Sequence, residues 1–287
     1  MAKKTVIGLV QMPMSSDKNA NIEKAVSSAR KAASRGAQIV CLPELFSTLY
    51  FPQKNKDKSA FLLAEKVPGK TTKNMGALAK ELGIVIIVPL FEKAGKKFYN
   101  AIAVISEKGK LLGKYRKMHI PHDPLFWEAN YFAEGNLGFK VFKTKFGKIA
   151  PLICFDQWFP EAARISALNG ADIIFYPTAI ATPVGGKEPD DWHSAWETIQ
   201  RGHAIANGIH VAAVNRAGKE GKLKFWGGSF ISDSFGKILK RASQKEEILV
   251  ASVDFSDNTR IRRGWGFFAK RRPENYGAIK KKRSGSK

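Results

Sequence analysis

The chain has 287 residues, 44% of them hydrophobic, enough to bury the core of one large domain or two small ones. No apolar run approaches the roughly 18 to 20 residues of a membrane span, and Cys41 and Cys154 offer neither CxxC nor Cys/His zinc spacing. The formal charge of +23 raises a nucleic-acid partner, but the lysines are scattered, the one dense cluster is the terminal AIKKKRSGSK, and no RNP, zinc-finger or helix-turn-helix pattern accompanies them.

In chain order, TVIGLVQ (5–11) reads as a buried strand and SDKNANIEKAVSSARKAASRGA as a helix with polar N-cap residues and Gly36 near its end. QIVCLPE (38–44) reads as a second strand stopped by Pro43. A helix around 71–82 leads into IVIIVPL (84–90), apolar throughout, as a strand covered on both faces requires. FYNAIAVISEKGKLLGKYRK alternates and turns at Lys108-Gly109, as a hairpin does.

The second half repeats this grammar. SARKAASRGAQIVCLPE (28–44) and EAARISALNGADIIFYPT (161–178) share a helix, a small residue, a pair of β-branched residues and a terminating proline. The segment 83–114 likewise parallels 208–240: a strand, a Gly/Lys-rich loop, an Ile-Ser strand end and a Gly-Lys turn. Two matches in one order predict a duplicated β-α unit. The expected architecture is α/β, a four-layer α-β-β-α sandwich with an internal pseudo-twofold, forming one domain over 1–278 and a basic, disordered tail over 279–287.

Reacting groups in α/β proteins tend to sit at strand ends, and three residues stand there. Glu44 follows IVCLP, Lys117 closes the hairpin in GKYRKMHIP, and Cys154 follows KIAPLI. Taken singly, each has a plainer role: a loop carboxylate, a surface lysine, a core thiol. Cys154 differs from Cys41 in its C-terminal neighbours. CFDQWFPEAAR passes from strand to helix within a few residues, with Pro160 suited to the first helical turn. A nucleophile on such a turn is accessible, and nearby backbone N–H groups can receive an oxyanion. The thiolate is the attacking form, so a base or cation must assist. The helpers at hand are Glu44, Lys117 and the histidines at 119, 122, 193, 203 and 210, and spacing alone does not choose among them.

LPELF around Glu44, YRKMHIP around Lys117 and ICFDQWFPEAAR around Cys154 resemble, in order and separation, the three signature segments of the nitrilase superfamily of carbon–nitrogen hydrolases. The similarity runs from about Val6 to Tyr276, and within the superfamily DQWFPEAAR, IFYPTAI, RGHAIAN and WGFFAKRRPENY look most like the N-carbamoylputrescine amidases. The resemblance implies Cys154 as nucleophile, Glu44 as general base and acid, Lys117 as electrostatic stabiliser, and Glu128 in PLFWEANYF as a second carboxylate positioning Lys117 or the substrate. It implies a thioester mechanism without metal or organic cofactor, a small ureido-amine or amide substrate and a homo-oligomer; the two cysteines, lacking CxxC or zinc spacing, point to a cytoplasmic setting, and the aromatic-rich WGFFAKRRPENY to an interface segment.

The residues after the nucleophile bear on the substrate. Relatives acting on carbamoyl amino acids place an arginine shortly after the cysteine to clamp a carboxylate; here Gln157 and Trp158 stand there. A cationic amine tail fits, with Trp158 and Tyr50 as cation–π faces, Phe155 as an N–H donor, and Thr178 and Ala179 as further contacts. Asp156, Glu188, Asp190 or Asp191 could supply negative charge. EPDDWHSAWETIQRGHA departs from the stretch such amidases carry, so other ureido amines, N-carbamoyl-β-alanine or an ω-amide stay open as substrates. Two further alternatives are a nucleic-acid-binding protein on a retired hydrolase scaffold and an acyltransferase using the same thioester.

Overall fold

The computed structural model describes residues 4–186 and 191–281. Its elements begin with β1 (Thr5–Gln11), α1 (Lys18–Ser34), β2 (Ile39–Cys41), α2 (Lys70–Leu82), β3 (Val85–Ala94), β4 (Lys97–Ile105), β5 (Leu111–Arg116), β6 (Phe142–Thr144), β7 (Gly147–Pro151) and α3 (Pro160–Leu168). They continue with β8 (Ile173–Thr178), β9 (Ala181–Pro183), α4 (Trp192–Asn207), β10 (His210–Asn215), β11 (Ala217–Glu220), β12 (Leu223–Trp226), β13 (Phe230–Ser232), β14 (Ile238–Arg241), β15 (Glu247–Val253) and α5 (Ser256–Trp265).

Two sheets of six strands carry the fold, in the orders β15-β1-β2-β3-β4-β5 and β14-β13-β10-β8-β7-β6. Their pairing obeys one scheme. β1, β2 and β3 are parallel, and so are β7, β8 and β10. Each trio is flanked by an antiparallel strand on its first member and extended by antiparallel strands on its third. This is the duplication read in the sequence: α1–β2 matches α3–β8, and β3–β4–β5 matches β10–β13–β14.

The apolar runs result from having two cores. On β2 and β3, Ile39, Cys41, Val85 and Ile87 pack between the sheets with Ile149, Ile173 and Val211 of the second sheet. Their neighbours Val40, Ile86 and Val88 face the other way, against Ile22, Ala25, Ala29 and Ala32 of α1 and Met75 and Leu78 of α2. A strand covered on both faces has no polar side to alternate with. Cys41 is therefore a filler of the inter-sheet core, wholly buried. The α1 stripe recurs every three or four residues, and Asp17 starts the helix by accepting the N–H groups of Asn19 and Ala20.

Two expectations are revised. The Gly/Lys-rich stretch after β10 is not a loop: β11 and β12 form a hairpin that β9 extends to a three-stranded sheet. Leu223 and Phe225 are buried and Lys224 is exposed, so the short alternation supports a strand with one dry face. The tail expected to be disordered from 279 starts in structure, since Gly277–Lys280 makes a 3₁₀ turn; residues beyond 281 lie outside those described.

Gly8 shows how closely α1 lies on β1. A Cβ there would meet Ala37 Cβ at 2.9 Å and Ala32 Cβ at 3.2 Å. Gly8→Val should lower unfolding free energy by about 1–3 kcal/mol through overpacking, read as a lower urea midpoint with an unchanged m-value.

Candidate active site

Strand ends from both sheets converge on one buried ammonium. Lys117 directly follows β5 and is fully excluded from solvent, as are Glu44 and Glu128. Its Nζ donates to Glu44 Oε1 at 2.9 Å and to Glu128 Oε1 and Oε2 at 2.9 and 2.7 Å. Burial by itself would make the lysine easier to deprotonate; Glu128 and then Glu44 outweigh it and hold the ammonium above its ordinary pKa. For Glu128 burial is the largest influence. It pushes the carboxyl up to about 7, against the pull of Lys117 and with the help of Glu44. One ammonium is shared by two buried carboxylates.

Glu44 lies just beyond β2, past Leu42-Pro43. Its Oε1 accepts a further bond from Asn100 of β4 at 2.6 Å, while its Oε2 is buried without a partner among the described residues. The turn carrying Glu44 is held from the other half of the chain. Arg216, between β10 and β11, donates to the carbonyls of Glu44 and Leu45 at 2.7 and 3.1 Å. It pairs with Glu220 at 2.7 and 2.9 Å. Glu220 accepts the Tyr50 backbone N–H at 2.6 Å, and the Tyr50 hydroxyl donates to Glu128 Oε1 at 2.7 Å. One buried ion pair thus supports both acidic residues around Lys117.

Cys154 enters from the second sheet. β7 ends at Pro151, Leu152 N–H still pairs with the Phe175 carbonyl, and Cys154 then opens a 3₁₀ helix (Cys154–Trp158) ahead of α3. Its φ of +42° is a left-handed value that a non-glycine residue adopts at a cost. Asp156 holds this elbow. Its carboxylate accepts from the Tyr115 hydroxyl at 2.7 Å, Ile153 N–H at 2.9 Å and His119 N–H at 3.1 Å, and meets His119 Nδ1 at 2.7 Å. Burial, then the charge of Glu44, raise the Cys154 thiol pKa well above normal; Lys117 and the Ala179 N–H oppose this. At neutral pH the resting group is a thiol, and it needs a base to become a nucleophile.

Cys154 opens onto a cavity of about 610 Å³. Glu128, Phe155, Trp158 and Ala179 also line it, together with Asp123, Leu125, Ile180 and Trp192. Two expected substrate contacts do not. Tyr50 is wholly buried behind Glu128, its hydroxyl occupied and its ring packed on Phe126 and Phe225. Thr178 is buried beneath the wall, bonded to Gln157 and the Tyr176 carbonyl. Nor does Asp156 offer charge to a ligand, since its oxygens brace the elbow. Asp191 caps α4 through Ser194 N–H, and Glu188 and Asp190 lie outside the described residues.

The histidines have other partners. His203 meets the Gln157 carbonyl, His210 meets Asn258, His122 packs on Trp127, and His193 lies beside Trp196 and Trp226. Sequence reasoning missed Arg216, Glu220, Asn100 and Asp123. The available signals were an Arg-x₃-Glu spacing after an apolar strand, and a lone asparagine in the otherwise apolar YNAIAVI.

Known proteins share both the sequence and the fold of this chain. Residues 6–263 match the carbon-nitrogen hydrolase family. An N-carbamoylputrescine amidase of Solanum lycopersicum is 42% identical over 94% of this chain and 93% of its own length. A citrullinase of Francisella tularensis is 39% identical over 96% and 98%. A solved structure of a carbon-nitrogen hydrolase from Helicobacter pylori G27 superposes with a TM-score of 0.94 at 38% identity, covering 98% of this chain and 99% of that one.

The raised Glu128 carboxyl has a measurable consequence. Its folded pKa exceeds the unfolded value, so the folded state holds this proton more tightly, and stability falls as pH climbs from the unfolded value toward about 7. Glu128→Gln removes that dependence. The melting temperature of the variant relative to the native protein should therefore rise between pH 5 and pH 8, measured by calorimetry; a flat or falling difference would contradict the assignment.

Proposed function

Because the chain belongs to the carbon–nitrogen hydrolase family, we propose that it hydrolyses a terminal ureido group through a Cys154 thioester, with N-carbamoylputrescine as substrate. The observation that carries this reading is Cys154 opening onto the cavity, together with Glu44, whose Oε2 is buried and, among the described residues, unpartnered beside the Lys117 ammonium. Glu44 takes the thiol proton as Sγ attacks the ureido carbon. Lys117 and the Phe155 backbone N–H stabilise the oxyanion, a contribution of about 3–4 kcal/mol where one such donor has been removed in other enzymes. Collapse breaks the bond to the terminal nitrogen, Glu44 returns its proton, and ammonia leaves. Water then gives a proton to Glu44 and attacks the thioester carbon. The thiolate departs and recovers the proton, and the carbamic acid falls to amine and carbon dioxide. The chemistry uses no metal or organic cofactor.

The substrate end of the proposal rests on the cavity wall. Among the described residues, no lysine, arginine or histidine lines it, so that part of the wall offers a substrate carboxylate no clamp. L-citrulline, drawn in by the citrullinase relative, carries a carboxylate as well as an amine and fits such a wall less well. Among the described residues no helix is long and apolar enough to cross a membrane. A nucleophilic thiol suits the reducing cytoplasm, where we place the protein. Exposed Trp265 and Ile279 support a subunit interface on the C-terminal segment, hence a homodimer or larger assembly, which light scattering would test.

Purified protein should release ammonia fastest, by kcat/KM, from N-carbamoylputrescine in a panel with L-citrulline, N-carbamoyl-β-alanine and an ω-amide. Turnover confined to the carboxylate-bearing compounds would overturn the substrate. Cys154→Ala should lower kcat by about a thousandfold or more, and Glu44→Gln by roughly 10²–10⁴. Both variants should keep a cooperative melt; full activity in Cys154→Ala would overturn the mechanism.

A further inference from the structure

We propose that Asp123 anchors the positively charged far end of the substrate and so makes the cavity selective for a ureido amine; this rests on the ureido-hydrolase reading above. The wall between Cys154 and the mouth is apolar, built from Leu125, Ile180, Trp158 and Trp192, and fits a run of methylenes. Among the described residues, two carboxylates lie on that wall, Glu128 and Asp123. Glu128 is committed to Lys117 and Tyr50.

Asp123 is in a different condition. It is exposed, and its backbone is pinned to Phe126, whose N–H donates to the Asp123 carbonyl at 2.8 Å. Among the described residues its carboxylate makes no hydrogen bond and no cation lies within 4.0 Å of it. In a chain with 48 lysines and arginines against 25 acids, a carboxylate left without a basic partner at the mouth of the active cavity is notable on charge grounds alone. A negative group beside low-dielectric walls concentrates cations. With no basic residue among the described residues of the wall to compete for it, Asp123 is the group available to an incoming ammonium. Trp158 and Trp192 add aromatic faces along the approach.

The test compares native protein with Asp123→Asn in two assays. The first is the ratio of kcat/KM for N-carbamoylputrescine to that for N-pentylurea, which replaces the ammonium by a methyl group. The ratio should fall roughly tenfold in the variant, chiefly through KM, and added salt should erode it in the native protein but not in the variant. The second is protection of Cys154 from iodoacetamide by 1,4-diaminobutane, which needs no turnover. Half-protection should require roughly ten times more diamine in the variant. An unchanged ratio, with the native protein active on N-carbamoylputrescine, overturns the anchor. If the native protein does not hydrolyse N-carbamoylputrescine, the substrate reading fails separately. Diamine protection that weakens on substitution would then still support the anchor, and protection absent or equal in both proteins would overturn it.

Discussion

An ammonium with no access to water needs counter-charge, and Lys117 obtains it from two carboxylates delivered by separate segments. That requirement organises the site. An isolated buried ammonium costs several kcal/mol, so Glu44 and Glu128 cannot leave without destabilising the fold. At Cys154 the charges of Glu44 and Glu128 act against that of Lys117. Burial first, and the charge of Glu44 after it, keep the thiol protonated. Glu44 serves this arrangement with its two oxygens divided: Oε1 is tied to Lys117 and Asn100, and Oε2 is left open.

The two halves of the duplicated chain do not contribute alike. Glu44, Lys117 and Glu128 come from the first half and Cys154 from the second, so the candidate site sits across the seam between the sheets. Arg216 returns across that seam to hold the carbonyls of Glu44 and Leu45. β2 and β7 are not equivalent under the internal symmetry; β7 corresponds to β1. The duplication therefore makes one compound site and leaves no second copy of it at the related position.

Much of this was legible in the residues. β1, β2 and β3 announce themselves because burial on both faces leaves uninterrupted apolar runs, and the repeated helix–strand grammar gives the two sheets. The strand ends carrying Glu44, Lys117 and Cys154 could be marked, but their convergence depends on pairing between segments far apart in sequence, and family resemblance supplied it. Cys41 and Cys154 are both buried and both come after apolar runs; the strand-to-helix residues after Cys154 set it apart in the sequence, and its left-handed backbone does so in the structure. The Arg216–Glu220 pair was hidden because Lys and Arg are abundant here, and one more basic residue in a Gly/Lys stretch reads as surface. Tyr50 was assigned the wrong neighbour for a related reason: an aromatic ring near a catalytic motif can face the ligand or support the acid behind it, and only tertiary packing decides.

The left-handed backbone at Cys154 gives this position an unusual evolutionary standing. Glycine is the one residue that adopts such a φ without steric conflict, so the sequence that folds most easily at residue 154 is one that cannot react. Any side chain there stores strain of order 1 kcal/mol, released by the very replacement that silences the site. A lineage freed from the need for catalysis would drift toward glycine at this elbow and gain stability by doing so. At residue 154, ease of folding and a reactive side chain therefore pull in opposite directions.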